Sequence, residues 1–139
     1  MAVNIKTVES LIDLSKTSII SSVDESGFPN VKAMLPPRLR HGLNEFYFTT
    51  NTSSMRVNQF VTQNKASIYF FDNITFKGVM LIGNMEVMKD EETKKMIWKN
   101  GDELYYSKGI TDPDYCVLKF TSISGRFYSN FSSENFVVE

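Results

Sequence analysis

The chain is poor in the side chains that most often bind metals or act as nucleophiles, since its 139 residues include one cysteine and one histidine. A disulfide within the chain and a cysteine metal cluster are therefore excluded. Cys116 lies in an apolar, β-prone run, which predicts a small buried hydrophobe. His41 lies in a polar stretch without a Gly-x-Ser-x-Gly motif, so the sequence predicts neither a Ser-His-Asp triad nor a histidine metal site. We assign no catalytic residue and no metal ligand.

The chain also lacks an excess of charge and a long apolar run. Its 15 basic and 16 acidic residues give a net charge of -1, so neither nucleic acid nor an anionic membrane is an expected partner. No apolar run approaches the roughly 20 residues of a membrane span. The first six residues lack the apolar core of a signal peptide, so we expect a cytoplasmic protein.

Aromatic residues, by contrast, are plentiful at 13%, with 11 Phe and 6 Tyr, which favours a sheet-rich core. Periodicity and turn signals predict a single domain over residues 1–139, with a polar loop at 38–44. Helices are expected at 5–15, from Ser53 or Ser54 to about 63, and from Asp90 to Gly101. Strands are expected at 17–23, 28–35, 45–50, 66–72, 75–88, 115–122 and 124–131. Gly78 and Gly83, inside the long fifth strand, indicate bulges or bends. Helices are too few for repeated βαβ units, so the fold class is a small antiparallel barrel of six or seven strands with flanking helices.

The segment from Phe46 to Arg56 carries the strongest functional signal. The β-prone run Phe46-Tyr47-Phe48 gives way to the hydroxyls of Thr49 and Thr50, and a serine-capped helix with Arg56 in its first turn follows. Free backbone N–H groups and the positive end of the dipole gather at a helix N-terminus. Hydroxyls add donors, and the guanidinium fork matches phosphate oxygens. The segment therefore predicts an anion site, although an ordinary capped helix would account for the serine alone.

Lys32 is a second candidate for the same anion. On a strand over 28–35 it would point outward, opposite to Val31 and Ala33, which is also how a solvated edge lysine looks. If that strand lies beside the strand at 45–50, Lys32 can reach the anion. Phe127, Tyr128 and Phe131 could stack on a planar ligand, or they could be plain core and edge aromatics. With no convincing acid–base residue, this combination suits a protein whose cofactor carries the chemistry.

Several runs stand in an order and spacing that resemble a known family. They are Gly27-Phe28-Pro29, Val31-Lys32-Ala33-Met34, Phe46-Tyr47-Phe48-Thr49-Thr50, Ser54-Met55-Arg56, the run from Val79 to Val87, and the run from Gly109 to Asp114. Together they resemble the pyridoxamine 5′-phosphate oxidase-like, FMN-binding split-barrel proteins, especially the short, general-stress-protein-26-like branch. The resemblance covers almost the whole chain.

The resemblance implies a set of FMN contacts. Lys32 takes the place of the basic residue that holds the flavin phosphate, and Ala33 and Met34 would line the flavin ring with their backbone. Thr49 and Thr50 match the family's strand-end pair. Ser54, Met55 and Arg56 match its helix start, with Met55 in place of a basic residue that some members carry.

The resemblance also implies a homodimer with FMN in the cleft between subunits, and a flavin-dependent oxidoreductase acting on a small molecule. A glutamine that contacts flavin in the oxidase falls at Gly78, and the oxidase's C-terminal substrate-binding segment has no counterpart. We therefore do not expect pyridoxamine phosphate oxidase activity itself. A non-enzymatic flavin carrier or sensor and a deazaflavin-binding relative are the alternatives, while heme is disfavoured by the single histidine.

Overall fold

The structure, a computed structural model, describes residues 3–139. Met1 and Ala2, on which part of the signal-peptide expectation rests, lie outside the described residues. The helices are α1 (Ile5–Leu14), α2 (Met55–Thr62) and α3 (Glu91–Ile97). The strands are β1 (Ser18–Val23), β2 (Pro29–Met34), β3 (Leu39–His41), β4 (Glu45–Asn51), β5 (Lys65–Asp72), β6 (Lys77–Met88), β7 (Tyr115–Ser129) and β8 (Ser132–Val137). None of the described helices is long and apolar enough to cross a membrane.

The described strands form one antiparallel sheet in the order β2-β1-β5-β6-β7-β4-β3, with β8 also paired to β7. Two strands of 12 and 15 residues, β6 and β7, form its centre. The first half of β7 pairs with β4 and the second half with β8, while β6 runs along both halves. The sheet does not close, because β2 and β3 stay at its two ends. The prediction of an antiparallel split barrel with flanking helices is confirmed.

The predicted count of six or seven strands is wrong, because the described chain has eight. The polar loop expected at 38–44 contains β3, which pairs with β4 although its alternation is hidden by charged residues. Residues 124–131 do not form a separate strand. They continue β7 past a bulge and then turn at Asn130 and Phe131 into β8, a strand that the sequence did not reveal.

A bulge lies opposite Gly83, where the glycine pattern of the long strand predicted one, whereas the pairing with β7 runs through Gly78 without a shift in register. Gly83 pairs with Ser122 and Ile82 with Ser124, so Ile123 has no opposite residue on β6. A Cβ atom at Gly83 would lie 2.0 Å from the carbonyl oxygen of Thr121. Only glycine allows the two strands to approach this closely, which lets the long strands bend around the core.

The core between the sheet and helices α1 and α2 is rich in aromatic side chains, as composition indicated. Phe46, Phe48, Phe70 and Phe120 are each at most 1% exposed. Cys116 is fully buried beside them, which confirms its interpretation as a small hydrophobe. Burial of apolar side chains of this kind is the main favourable contribution to the free energy of folding.

Helix α3 ends at Ile97, whereas the sequence predicted an end at Gly101. Arg38 donates a hydrogen bond to the Ile97 carbonyl, and Asp102 accepts one from the Lys99 N–H, so these two side chains replace the next helical turn. Gly101, at φ +102°, then starts a short 3-10 turn. The helix stops early because Arg38, which is distant in sequence, satisfies its last carbonyl group, while the nearby Asp102 satisfies the N–H group of Lys99 beyond the helix end.

The Arg38–Asp102 pair makes acid unfolding testable. Arg38 donates to both carboxylate oxygens of Asp102, at 2.9 and 2.8 Å, and lowers the pKa of Asp102. This stabilisation is present above the unfolded-state pKa and is lost as the pH falls through the lower folded-state pKa. We expect the free energy of unfolding to decrease below about pH 4, and Asp102→Asn to flatten that decrease. Urea unfolding at several pH values measures this decrease.

Glu25→Gln, in an exposed turn, is the control for this measurement. An equal dependence of the free energy of unfolding on pH in wild type and Asp102→Asn contradicts the prediction.

Candidate functional site

A groove of about 590 Å³ lies between the β1–β2 hairpin on one side and the end of β4 with the start of α2 on the other. Its lining is mostly polar, with hydroxyl, amide and cationic side chains. The residues are Ser22, Asn30, Val31, Lys32, Thr50, Asn51, Ser53, Ser54, Met55, Arg56 and Gln59. Two cations and no carboxylate are among them, which makes the groove suited to an anion.

One wall of the groove is the turn that joins β4 to α2. The Ser54 N–H donates to the Asn51 carbonyl at 3.0 Å, and the Ser54 hydroxyl then caps α2 by accepting from the Val57 N–H at 3.4 Å. The first N–H groups of a helix have no acceptor within the helix, so those of Met55 and Arg56 are available to a ligand. The predicted cap, Ser53 or Ser54, is thus Ser54, and Ser53 belongs to the turn.

Arg56 is the group whose surroundings point most directly to a ligand. Its side chain is half-buried, and its Nε is buried without a hydrogen-bond partner among residues 3–139. No ion pair within that part of the chain includes it, whereas Arg38 and Arg40 both hold carboxylates. Desolvation therefore lowers the pKa of Arg56 with nothing to offset it. A bound anion would supply the missing partner.

Lys32 faces the same groove, but not by the route that the sequence suggested. The strand β2 pairs only with β1, and β4 pairs with β3 and β7, so the two strands are not neighbours in the sheet. The curvature of the open barrel brings them to opposite walls of the groove. Lys32 lies opposite the buried Ile20, while Val31 lies opposite Ser21 and is 69% exposed. Lys32 therefore shares the face of Ile20 and not that of Val31, although Lys32 is itself exposed at the edge of the sheet.

The groove brings together five of the eight residues singled out in the sequence: Lys32, Thr50, Ser54, Met55 and Arg56. The other three lie outside its lining. Thr49 points to the other face of β4 from the buried Thr50. Met34 packs against the core, and Ala33 is exposed next to Lys32 on the edge strand β2.

Comparison with known proteins agrees with this architecture. A family model described as pyridoxamine 5′-phosphate oxidase matches residues 5–128, which is most of the chain. The chain belongs to the pyridoxamine 5′-phosphate oxidase family. A solved structure from Clostridium acetobutylicum, of a protein related to general stress protein 26 in the pyridoxine phosphate oxidase family, is 36% identical with a TM-score of 0.88. The alignment covers 96% of this chain and 94% of that one.

Comparison with two further members of the family shows how far the similarity in sequence and in fold extends. A pyridoxine/pyridoxamine 5′-phosphate oxidase from Allorhizobium ampelinum is 36% identical over 73 residues, which are 52% of this chain but 34% of the relative's length. An FMN-binding, pyridoxamine 5′-phosphate oxidase-related protein from Nostoc punctiforme shares the fold, with a TM-score of 0.73 over 96% of this chain and 95% of its own. At 12% sequence identity, this comparison shows a shared fold and nothing more.

Three residues that line the groove were not singled out in the sequence. Asn30 is two residues before Lys32 on the same face of β2, and Gln59 is one turn after Arg56 on α2, so periodicity alone pointed to both. Ser22 is 1% exposed and donates its hydroxyl proton to the Gln59 side-chain oxygen. This bond ties β1 to α2 across the floor of the groove and leaves the Gln59 amide protons for a ligand.

The remaining candidates have structural surroundings of their own. His41 lies on β3, where its Nδ1 is 3.0 Å from a carboxylate oxygen of Glu45. Trp98, late in the segment that the sequence predicted as the third helix, packs against Tyr106 and Tyr115. Across residues 3–139, no group of three or more His, Cys, Asp and Glu side chains is placed to hold a metal ion.

Proposed function

We propose that this chain binds FMN with the phosphate in the groove and acts as a flavin-dependent oxidoreductase on a small molecule. The observation that carries the proposal is the half-buried Arg56, whose buried Nε has no partner in the described chain, in a groove without carboxylates. Family membership and the FMN-binding relative from Nostoc punctiforme support the choice of ligand.

The donors of the groove fit a phosphate ester. Arg56 offers its guanidinium fork, and Lys32 offers an ammonium group from the opposite wall. The Ser54 hydroxyl accepts from Val57 and keeps its own proton to donate, and Thr50 adds a second hydroxyl. The groove's 590 Å³ lies within the range of about 300–1,000 Å³ that is usual for ligand pockets.

The edge strand β2 is the natural neighbour for the flavin ring. Because β2 pairs with β1 alone, the backbone groups on its other side are not used by the described sheet. Ala33 and Met34 follow Lys32 on this strand and stay proposed ring contacts through their backbone. Thr49 would act indirectly, by fixing the end of β4.

When bound, the flavin supplies the electron transfer, and the protein binds and orients it. The groove is lined by no histidine, cysteine, tyrosine or carboxylate of the described chain, so Lys32 is its one ordinary proton-transfer group.

This lack of proton-transfer groups in the groove favours a second candidate function, a flavin carrier or sensor that catalyses no reaction of its own. Anaerobic addition of NADH or NADPH separates the two, because rapid bleaching of the bound flavin's absorbance contradicts a passive carrier.

Pyridoxamine phosphate oxidation is not part of the proposal. By the resemblance, the oxidase's flavin-contacting glutamine falls at Gly78, where a Cβ atom would lie 2.1 Å from the Tyr69 hydroxyl. A side chain at residue 78 therefore needs Tyr69 to move. The substrate remains a small molecule of another kind.

Titration of the purified protein with FMN and with riboflavin tests the binding proposal. The two ligands share the ring and differ in the phosphate, so the ratio of their dissociation constants isolates the phosphate contacts. We expect FMN to bind at least tenfold more tightly, as one or more charge-assisted hydrogen bonds require. Equal affinities would place the phosphate outside the groove. An absorption spectrum of the protein as purified distinguishes FMN from a deazaflavin.

The proposed assembly is a homodimer that covers the outer face of the sheet. This face carries apolar side chains that are 37–69% exposed, more than single scattered residues would need. They are Val31, Tyr69, Phe71, Ile82 and Ile123. The face is continuous with β2, so a partner on it would lie next to the groove and could complete the cofactor site. Phe131, which is 97% exposed at φ +64° in the β7–β8 turn, is a second apolar element that a partner could cover.

Substitution of Ile82 tests this interface. We expect Ile82→Lys to shift the protein from dimer to monomer in sedimentation velocity, because burying an unpaired ammonium at the contact is costly. Thr62→Lys adds the same charge at the exposed end of α2, which packs on the core side of the sheet, and is the control outside the apolar cluster. A dimer of unchanged affinity in Ile82→Lys would locate the interface elsewhere.

A further inference from the structure

The phosphate side of the groove is held in place by a segment that does not itself line the groove. This segment runs from Tyr106 to Asp114 and ends directly before β7. Because Asn51, the last residue of β4, pairs with Tyr115, the first residue of β7, the turn after β4 lies beside the segment before β7. Neither Tyr106 nor Asp114 is among the lining residues.

Three hydrogen bonds join the segment to the turn. The Thr52 N–H donates to the Asp114 carbonyl at 2.8 Å, and the Ser53 N–H donates to the Asp114 carboxylate at 2.9 Å. The Tyr106 hydroxyl donates to the side-chain oxygen of Asn51 at 2.9 Å. Three consecutive residues, Asn51, Thr52 and Ser53, are thus each hydrogen-bonded to the segment from Tyr106 to Asp114. Ser54 and Arg56 follow directly after them in the chain.

The support is itself rigidly held. Tyr106 is 7% exposed, and its ring packs against those of Trp98 and Tyr115. Burial raises the pKa of Tyr106 to about 12, so its hydroxyl stays protonated and keeps donating. Asp112 accepts from the Asp114 N–H at 3.0 Å, which fixes the backbone on which Asp114 stands.

We infer that Asp114, assisted by Tyr106, is a positioning residue for the phosphate site: it holds the turn so that Ser54 and Arg56 present their donors to the groove. The inference rests on the proposed FMN function. Its physical basis is that a ligand must otherwise order this turn on binding, which costs affinity. Asp114 would act through its role as a hydrogen-bond acceptor and not through its charge, because a carboxylate near a phosphate would by itself repel it.

The pair Asp114→Ala and Asp114→Asn separates these roles. Alanine removes the acceptor for the Ser53 N–H, while asparagine keeps an oxygen at that place without the charge. We expect Asp114→Ala to weaken FMN binding about tenfold with riboflavin binding unchanged, and Asp114→Asn to bind FMN as tightly as wild type or more so. Tyr106→Phe, which keeps the ring and loses the hydroxyl, should weaken FMN binding in the same selective way.

Amide hydrogen exchange in the flavin-free protein gives an independent readout. Exchange of the Ser53 amide should speed up at least tenfold in Asp114→Ala and stay near the wild-type rate in Asp114→Asn, with core strand amides unchanged. Equal losses for FMN and riboflavin, or equal effects of alanine and asparagine, would overturn the positioning role. If Arg56→Ala leaves the FMN-to-riboflavin ratio unchanged, the phosphate site itself is wrong, and the Ser53 exchange rates still decide whether Asp114 holds the turn.

Discussion

Replacing Arg56 by alanine is expected to weaken FMN binding by about 10- to 100-fold while leaving riboflavin binding nearly unchanged. A hydrogen bond to a charged group contributes roughly 1.5–3 kcal/mol, and each 1.4 kcal/mol is about tenfold in affinity. Arg56 is already half-buried without a counter-charge among residues 3–139, so its desolvation is incurred before the ligand arrives. Fluorescence titration of both ligands at one ionic strength measures the effect.

Two control variants make the result specific. Arg56→Lys keeps the charge and loses the planar fork, so we expect a smaller loss of FMN affinity. Lys95→Ala removes one positive charge from the exposed surface of α3, away from the groove, and should leave FMN binding unchanged. If Lys95→Ala and Arg56→Ala weaken FMN binding equally, the attraction is a long-range effect of net charge and the assigned role of Arg56 is wrong.

How far the site was predictable depended on how local each contact is. Ser54 and Arg56 belong to one strand–turn–helix segment, so cap chemistry and the helix start indicated them from sequence. Lys32 lies on a strand that never pairs with β4, and only the curvature of the whole sheet brings it to the groove. The support from Asp114 depends on the pairing of β4 with β7, which is set by contacts about 65 residues apart in sequence and has no local signal.

The fold shows the same division. Periodicity placed α1, the β1–β2 hairpin and α2 within one or two residues, because an apolar stripe or a glycine turn specifies each of them locally. Charged residues hid β3, where Arg40 holds the carboxylates of Glu9 and Asp13 on α1 instead of following an alternating pattern. The early end of α3 depends on Arg38, about 60 residues away in sequence. The sequence of the helix alone therefore could not show where the helix ends.

The bulge at Gly83 carries the largest predicted effect on stability. In Gly83→Ala the new Cβ would lie 2.0 Å from the Thr121 carbonyl oxygen and 3.0 Å from the Phe120 ring. The first obstacle is backbone of the central strand β7, so it cannot turn aside as a side chain could. We expect the free energy of unfolding to fall by about 3 kcal/mol, at the upper end for overpacked sites. Urea unfolding at equal protein concentration measures it, since dimerisation would make stability concentration-dependent.

Asn84→Ala is the matched control, because it changes the adjacent, exposed residue of β6 and should alter stability by less than about 0.5 kcal/mol. The distinction matters for function as well as folding. Register on both sides of the bulge decides that Thr121 pairs with Asn84 and that β7 continues in phase to its pairing with β4, whose end forms one wall of the groove. If Gly83→Ala folds with wild-type stability, the close approach of β6 and β7 is not what bends the sheet.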